Sequence, residues 1–280
     1  MIEEHENLTP HETFDYTTAL GVKKVHKSIS QMLILGFIAG IFIALASYGS
    51  IVGSHSLTLR MQTYAIGKFI SGLIFTAGLI LVLVSGGELF TGNSLIIMGV
   101  LQKKVTLRQM LRNWFFVYVG NFFGSLFTVA LIIISGVPQH HDELALASLQ
   151  MAITKVNYSF PQGLALGILC NILVAAAVWM SYSSTNILSR AGIVFFPIML
   201  FITSGYEHSI ADMFYIPYGM ALKGEFADTA LAAGTTAEAL AKLNLRGLFL
   251  NSLFPVTLGN IIGGCVFIGG IYWFTNKEHK

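Results

Sequence analysis

Six stretches of this sequence are too long and too apolar for a water-soluble fold to hide. They lie at about residues 31–52, 68–100, 111–136, 159–184, 191–222 and 249–274. Each contains the run of about 20 mostly apolar residues needed to cross a hydrocarbon core about 30 Å thick. Composition agrees, because 54% of the 280 residues are hydrophobic and 11% are charged, where soluble domains carry roughly 25% charged residues. The expected fold class is therefore an all-α, multi-pass membrane protein with six crossings.

Ten of the sixteen basic residues fall on one side of a six-span topology: Lys23, Lys24, Lys27, Lys103, Lys104, Arg108, Arg112, Arg190, Lys277 and Lys280. The bias of Lys and Arg toward cytoplasmic loops then puts both termini in the cytoplasm. Residues 1–30 are polar and mixed in charge, without a short apolar core and cleavage site, so the first span is expected to act as its own membrane address. Cys170 and Cys265 both sit in apolar segments and form neither a disulfide framework nor a zinc pattern. A net charge of +2, spread over loops, gives no sign of nucleic-acid binding. The organisation expected is a cytoplasmic segment at 1–30, one transmembrane domain at 31–274 and a cytoplasmic tail at 275–280.

Two of the spans are longer than a bilayer needs, and both are interrupted in the same way. The second runs from Lys68 to Val100, and 33 residues at 1.5 Å each make roughly 50 Å of continuous helix. It is cut by Ser85-Gly86-Gly87-Glu88, and the fifth span by Ser204-Gly205-Tyr206-Glu207. The helices that follow also answer each other, VYVGNFFG at 117–124 and VTLGNIIG at 256–263, and a weaker echo pairs GFIAG at 36–40 with GLALG at 163–167. Three spans followed by three spans reverse the orientation of the second half. The reading is an inverted repeat, about 31–136 and 159–274, with paired discontinuous helices whose breaks mark a permeation site. Taken singly, each Gly-Asn pair is as consistent with plain helix packing.

The breaks carry ionisable residues at membrane depth: Glu88, Glu207, His208 and Asp212. A charge there costs roughly 2.5–3.5 kcal/mol on insertion scales, so each is expected to have a partner or an aqueous neighbour. Broken half-helices expose backbone N–H groups and the positive end of a helix dipole, which suits a small anion. His208 adds a group that gains or loses a proton near neutral pH, allowing a weak acid to enter as its anion and pass an apolar constriction in neutral form. Thr91 offers a hydroxyl from the first break, and Lys155 stands at the outer approach to the fourth span. Leu89, Phe90 and Phe201 flank the breaks as candidate apolar collars, although packing is the commoner use of such residues.

GELFTGN, GNFFGS, CNILVAAAVWMSYS, SGYEHSIADMFYIPYG and NSLFPVTLGNIIGG together resemble the formate/nitrite transporter family, most closely its formate-channel branch, from about Gly21 to Trp273. The resemblance implies an aquaporin-like protomer of six transmembrane helices with one pore in each subunit of a homopentamer. It places the family's central histidine on His208, its loop threonine on Thr91 and its vestibule lysine on Lys155. Its constrictions fall on Phe75, Leu79, Leu89, Phe90, Val174 and Phe201. Glu207, Asn171 and Lys24 correspond to the glutamate beside the histidine, a fourth-span asparagine and a basic residue near the cytoplasmic mouth. Two departures stand out: Asp212 occupies a position that is asparagine in formate channels, and FTGN in the first break is closer to nitrite channels.

The function expected is a pH-sensitive channel or proton-coupled transporter, without covalent chemistry, cofactor or metal, in a bacterial or archaeal cytoplasmic membrane. Formate and protons are the expected cargo, with nitrite, hydrosulfide, acetate and lactate as further candidate anions. Rival readings are a nitrite or hydrosulfide channel, a neutral-solute pore of aquaporin type and an intramembrane enzyme using the Glu, His and Asp residues. The resemblance further implies that an amphipathic stretch near Phe14, Tyr16, Ala19 and Leu20 folds at the cytoplasmic mouth and gates the pore as pH falls. Residues 223–246 read as an exposed loop.

Overall fold

The structure is a computed structural model and describes residues 7–138 and 141–276. Lys277 and Lys280, counted above toward topology, and the tail beyond residue 276 lie outside the described residues. Within them, six helices are long and apolar enough to cross a bilayer: α2 (Ile29–Thr58), α3 (Tyr64–Ser85), α5 (Leu107–Ile134), α7 (Phe160–Ser181), α8 (Ile187–Ser204) and a last helix running Gly247–Asn276. The other helices are α1 (Pro10–Val25), α4 (Ile97–Leu101), α6 (Asp142–Asn157), α9 (Ser209–Ala232) and α10 (Ala237–Ala241); the last helix is α11. A 3-10 turn, Gly92–Ile96, leads into α4.

Helix starts follow local chemistry. Thr9, Ser28 and Thr106 each accept from the amide three residues on, and Glu12, Gln31 and Gln109 reach back to the cap amide. These capping boxes satisfy amide groups that the helix itself cannot. The two expected breaks occur where SGGE and SGYE stand. α3 ends at Ser85 with Gly86 at φ 78°, and α8 ends at Ser204 with Gly205 at φ 75°. Both glycines adopt the left-handed conformation that a Cβ disfavours, so the chain leaves each helix in the same direction.

The two halves pack alike. α2 crosses α5 so closely that a Cβ on Gly36 would meet the Val117 carbonyl oxygen at 2.8 Å; α7 crosses α11 with Gly167 facing the Val256 oxygen at 2.6 Å. The structural partner of Gly36 is therefore Gly167, and the weak echo of GFIAG with GLALG is corrected by one helical turn. Glycines spaced four apart fit either register, and only the contact with the following helix separates them. The two interrupted helices also pack on each other, α3 against α8, where a Cβ on Gly72 would meet the Met199 carbonyl oxygen at 2.7 Å.

Two further expectations change. Residues 223–246 are not one exposed loop: α9 continues to Ala232, and Phe226, Ala230, Leu240 and Leu243 are buried. α1 forms where an amphipathic helix was expected, but the face it buries is Thr13, Phe14, Thr17, Thr18 and Gly21, while Tyr16 and Ala19 are exposed. Threonine is tolerable there because the Thr13 and Thr17 hydroxyls donate to the carbonyls of Thr9 and Thr13, at 2.8 and 2.7 Å. α1 lies under Gly92–Leu101, with Tyr16 edge-on to Tyr182 at 5.8 Å.

Candidate functional site

The residues between the half-helices are held by two asparagines, one from each repeat. The Phe90 amide donates to Asn121 Oδ1 (3.0 Å), whose Nδ2 donates to the carbonyls of Gly36 (2.8 Å) and Glu88 (2.9 Å). In the second half the Ser209 amide donates to Asn260 Oδ1 (2.9 Å), whose Nδ2 donates to the carbonyls of Gly167 (2.8 Å) and Glu207 (3.0 Å). Asn121 and Asn260 are the asparagines of the matched V-x-x-G-N-x-x-G motifs, and both are fully buried. They were visible in the sequence as repeat markers, but their bonding was not. The Glu88 and Glu207 amides go to the carbonyls of Leu35 (3.0 Å) and Leu166 (3.3 Å). The expectation of exposed amides awaiting an anion is thus corrected at four positions. An unpartnered amide at membrane depth is costly, and the protein supplies the acceptor itself.

One bond joins the two breaks. His208 Nε2 lies 2.8 Å from Thr91 Oγ1, and both residues are buried. His208 is also the N-cap of α9, its Nδ1 accepting from the Ala211 amide at 3.2 Å. A ring nitrogen that accepts carries no proton, so the neutral ring bears its proton on Nε2 and donates to Thr91. The Thr91 hydroxyl hydrogen remains available. Two donors, Nε2–H and the Thr91 O–H, then meet at one point between the half-helices. Asn171 stands behind them, its Nδ2 donating to the carbonyls of Thr91 (3.3 Å) and Asn260 (2.7 Å).

Apolar side chains lie beside this point. Phe201 sits 6.0 Å from the His208 ring, and Phe75 meets Phe201 edge-on at 5.5 Å and 88°. Leu79, Leu89 and Val174 are buried as well. Phe90, also expected among the constrictions, is buried and packs against Tyr118 at 4.9 Å and Trp114 at 5.6 Å. Its amide is held by Asn121.

Charged groups flank the point on both sides, each with partners. Toward the N-terminal side, Glu88 pairs with Lys27 (2.7 Å) and Lys24 (3.3 Å), while Lys24 donates to Asn93 Oδ1 at 2.6 Å and Asn93 Nδ2 donates to Glu88 at 2.7 Å. Burial opposes the charge on Lys24, but the Glu88 carboxylate outweighs it and raises the ammonium's pKa. On the opposite side Lys155 lies between Glu207 (2.6 Å) and Asp212 (2.9 Å), and Asp212 accepts from Ser252 at 3.0 Å. Lys155 was expected as an approach lysine; the structure buries it in this triad, 7% exposed, with its ammonium 4.8 Å from the Tyr215 ring.

The profile of the formate/nitrite transporter family matches residues 11–274. A formate channel, FocA, of Haemophilus influenzae is 36% identical over 275 residues, covering 97% of this chain and 96% of that protein. FocA of Escherichia coli K12 is 37% identical over 256 residues, covering 90% and 89%. Among solved structures, a pentameric formate channel with formate bound superposes with a TM-score of 0.75 at 34% identity, over 88% of this chain and 97% of that one. An ion channel of the same family reaches a TM-score of 0.78 at 24% identity, over 95% and 99%, which bears on the fold alone.

Proposed function

Because this chain belongs to the formate/nitrite transporter family, we propose that it conducts formate and similar small monovalent anions through a pore in each subunit of a homopentamer. The observation that carries the reading is the Thr91–His208 bond, which puts two donors at the junction of the broken helices. Formate has a carboxylate whose oxygens can accept from both donors, and the relatives described above are named for it. The exposed flank of α8 supports assembly, since only Val194, Ile198, Phe201 and Ile202 of its eighteen residues are buried in the protomer. The basic residues on the N-terminal side favour a bacterial or archaeal cytoplasmic membrane with that side inward. No bond-making step is proposed, and the relatives are named as channels and transporters rather than enzymes.

The geometry supports one sequence of events. A formate ion reaching the junction replaces the ring as hydrogen-bond partner of Thr91 and accepts from both donors. Transfer of the Nε2 proton requires a second proton on Nδ1, and that proton displaces the Ala211 amide. An anion about 3 Å away in a low-dielectric surround offsets the lost bond, because opposite charges attract far more strongly there than in water. Proton uptake by the ring is then tied to anion arrival, and Phe75 and Phe201 admit the neutral acid more readily than the ion. Nitrite fits the same donors and is the principal alternative cargo.

The test is formate uptake into proteoliposomes between about pH 5 and pH 8 with wild type, His208→Phe and His208→Gln. Wild type is expected to show uptake that varies with pH, His208→Phe to lose that dependence, and His208→Gln to keep a donor without a titrating group. Identical pH profiles in all three remove the histidine from the mechanism. Absence of formate uptake by wild type, with nitrite carried, assigns the alternative.

A further inference from the structure

The two sides of the junction differ in charge although the backbone repeats. Counting from each break glutamate, Asn93 and Asp212 are equivalent: each lies five residues on, Asn93 after Glu88 and Asp212 after Glu207. On the N-terminal side two lysines face one carboxylate. On the opposite side one lysine faces two. With both carboxylates ionised, Lys155 is more than neutralised and the Lys155–Glu207–Asp212 group carries a formal charge of −1.

A cavity of about 360 Å³ lies above that group, lined by Thr58, Tyr64, Lys68, Lys155, Tyr158 and Glu207 among others. Lys68 is the second lysine lining it. It projects from the first turns of α3, and its Nζ would lie 3.8 Å from a Cβ on Gly205, the terminus of α8. Among the described residues no carboxylate comes within ion-pair distance of it. Arg60 and Glu143, both exposed on the same side of the molecule, face each other at 3.8 Å. The repeat has no counterpart of Lys68: a shift of 119 residues, which superposes the two breaks, places Ile187 there. The equivalent Cβ on Gly86 would meet nothing within 4 Å.

We propose that Lys68, not Lys155, is the cation that draws anions into the mouth opposite the N-terminus, and that Asp212 is what makes it necessary. Lys68 restores the mouth from a formal charge of −1 to zero while leaving its own ammonium facing the cavity. The inference rests on the anion-conducting reading above. A lysine that only caps the C-terminal end of α8 is the competing account.

Initial formate uptake is measured in proteoliposomes at low formate and about 10 mM ionic strength, where screening reaches only beyond about 30 Å, for wild type, K68Q, K68R and K68Q/D212N. Removing one charge from the mouth should lower K68Q uptake by about threefold to tenfold, the lower range of electrostatic steering. K68R should retain wild-type uptake. K68Q/D212N, in which the mouth is again neutral, should recover most of the loss, and raising salt to about 0.5 M should bring K68Q and wild type together. Equal uptake by wild type and K68Q at low salt overturns the proposal. A K68Q loss that survives high salt and is not relieved by D212N also overturns it and assigns Lys68 to capping. Failure of wild type to carry formate at all counts against the proposed function instead.

Discussion

Replacing Asn260 with alanine tests whether the junction is held by the repeat asparagines. The substitution removes one acceptor and two donations, leaving the Ser209 amide and the carbonyls of Gly167 and Glu207 without them, all at full burial. A stranded buried amide costs roughly 1–3 kcal/mol. Each lost donation to a carbonyl is worth about 0.6 kcal/mol by the average measured between membrane helices. The total is about 2–4 kcal/mol. The strain falls on the residues that aim His208, since Ser209 follows it and the Glu207 carbonyl precedes it. Reversible unfolding in mixed micelles of increasing SDS content measures the stability, and formate uptake measures the site. Asn121→Ala should cost a similar amount, because its three bonds have the same partners in the other half. A loss below about 0.5 kcal/mol in both variants, with uptake intact, would refute the assignment and return these residues to plain helix packing.

Gly36→Ala and Gly167→Ala should each destabilise the protein by about 1–3 kcal/mol in the same unfolding assay, because the new methyl meets a backbone oxygen at 2.8 or 2.6 Å that cannot move alone. Gly86→Ala is expected to cost only about 1 kcal/mol, since its Cβ has open space and the penalty is the left-handed conformation by itself. Deleting residues 1–20 removes most of α1 and should abolish closure of the pore at acid pH, read as formate efflux near pH 5; unchanged closure assigns α1 to a surface role. Phe201→Ala should raise leakage of the charged form, seen as electrogenic formate current in a planar bilayer, because the ring beside His208 is lost.

Spans, breaks and the inverted repeat were legible in the sequence because they depend on local chemistry. Apolar length sets a crossing, and the same Ser-Gly-x-Glu tetrad in two over-long spans marked where a glycine ends each helix. The candidate residues His208 and Thr91 could be named from the breaks, but not the 2.8 Å bond between them, which joins positions 117 residues apart. Lys155 shows the limit from the other side. A lysine before a span reads as an approach charge until the fold brings Glu207 and Asp212 to it. The register of Gly36 with Gly167 was hidden by the four-residue spacing that both helices share.

By itself the sequence determined that this chain enters a membrane, crosses it six times and stops two helices midway, since hydrophobic transfer and backbone conformational preference act residue by residue. Tertiary structure alone decided which polar groups meet at the stops: which amides the asparagines take, which carboxylates cancel Lys155, and which lysine is left facing the cavity. Electrostatic and hydrogen-bond energies at membrane depth change steeply over about an ångström, and separations of that size are set by packing between distant segments rather than by their order in the chain.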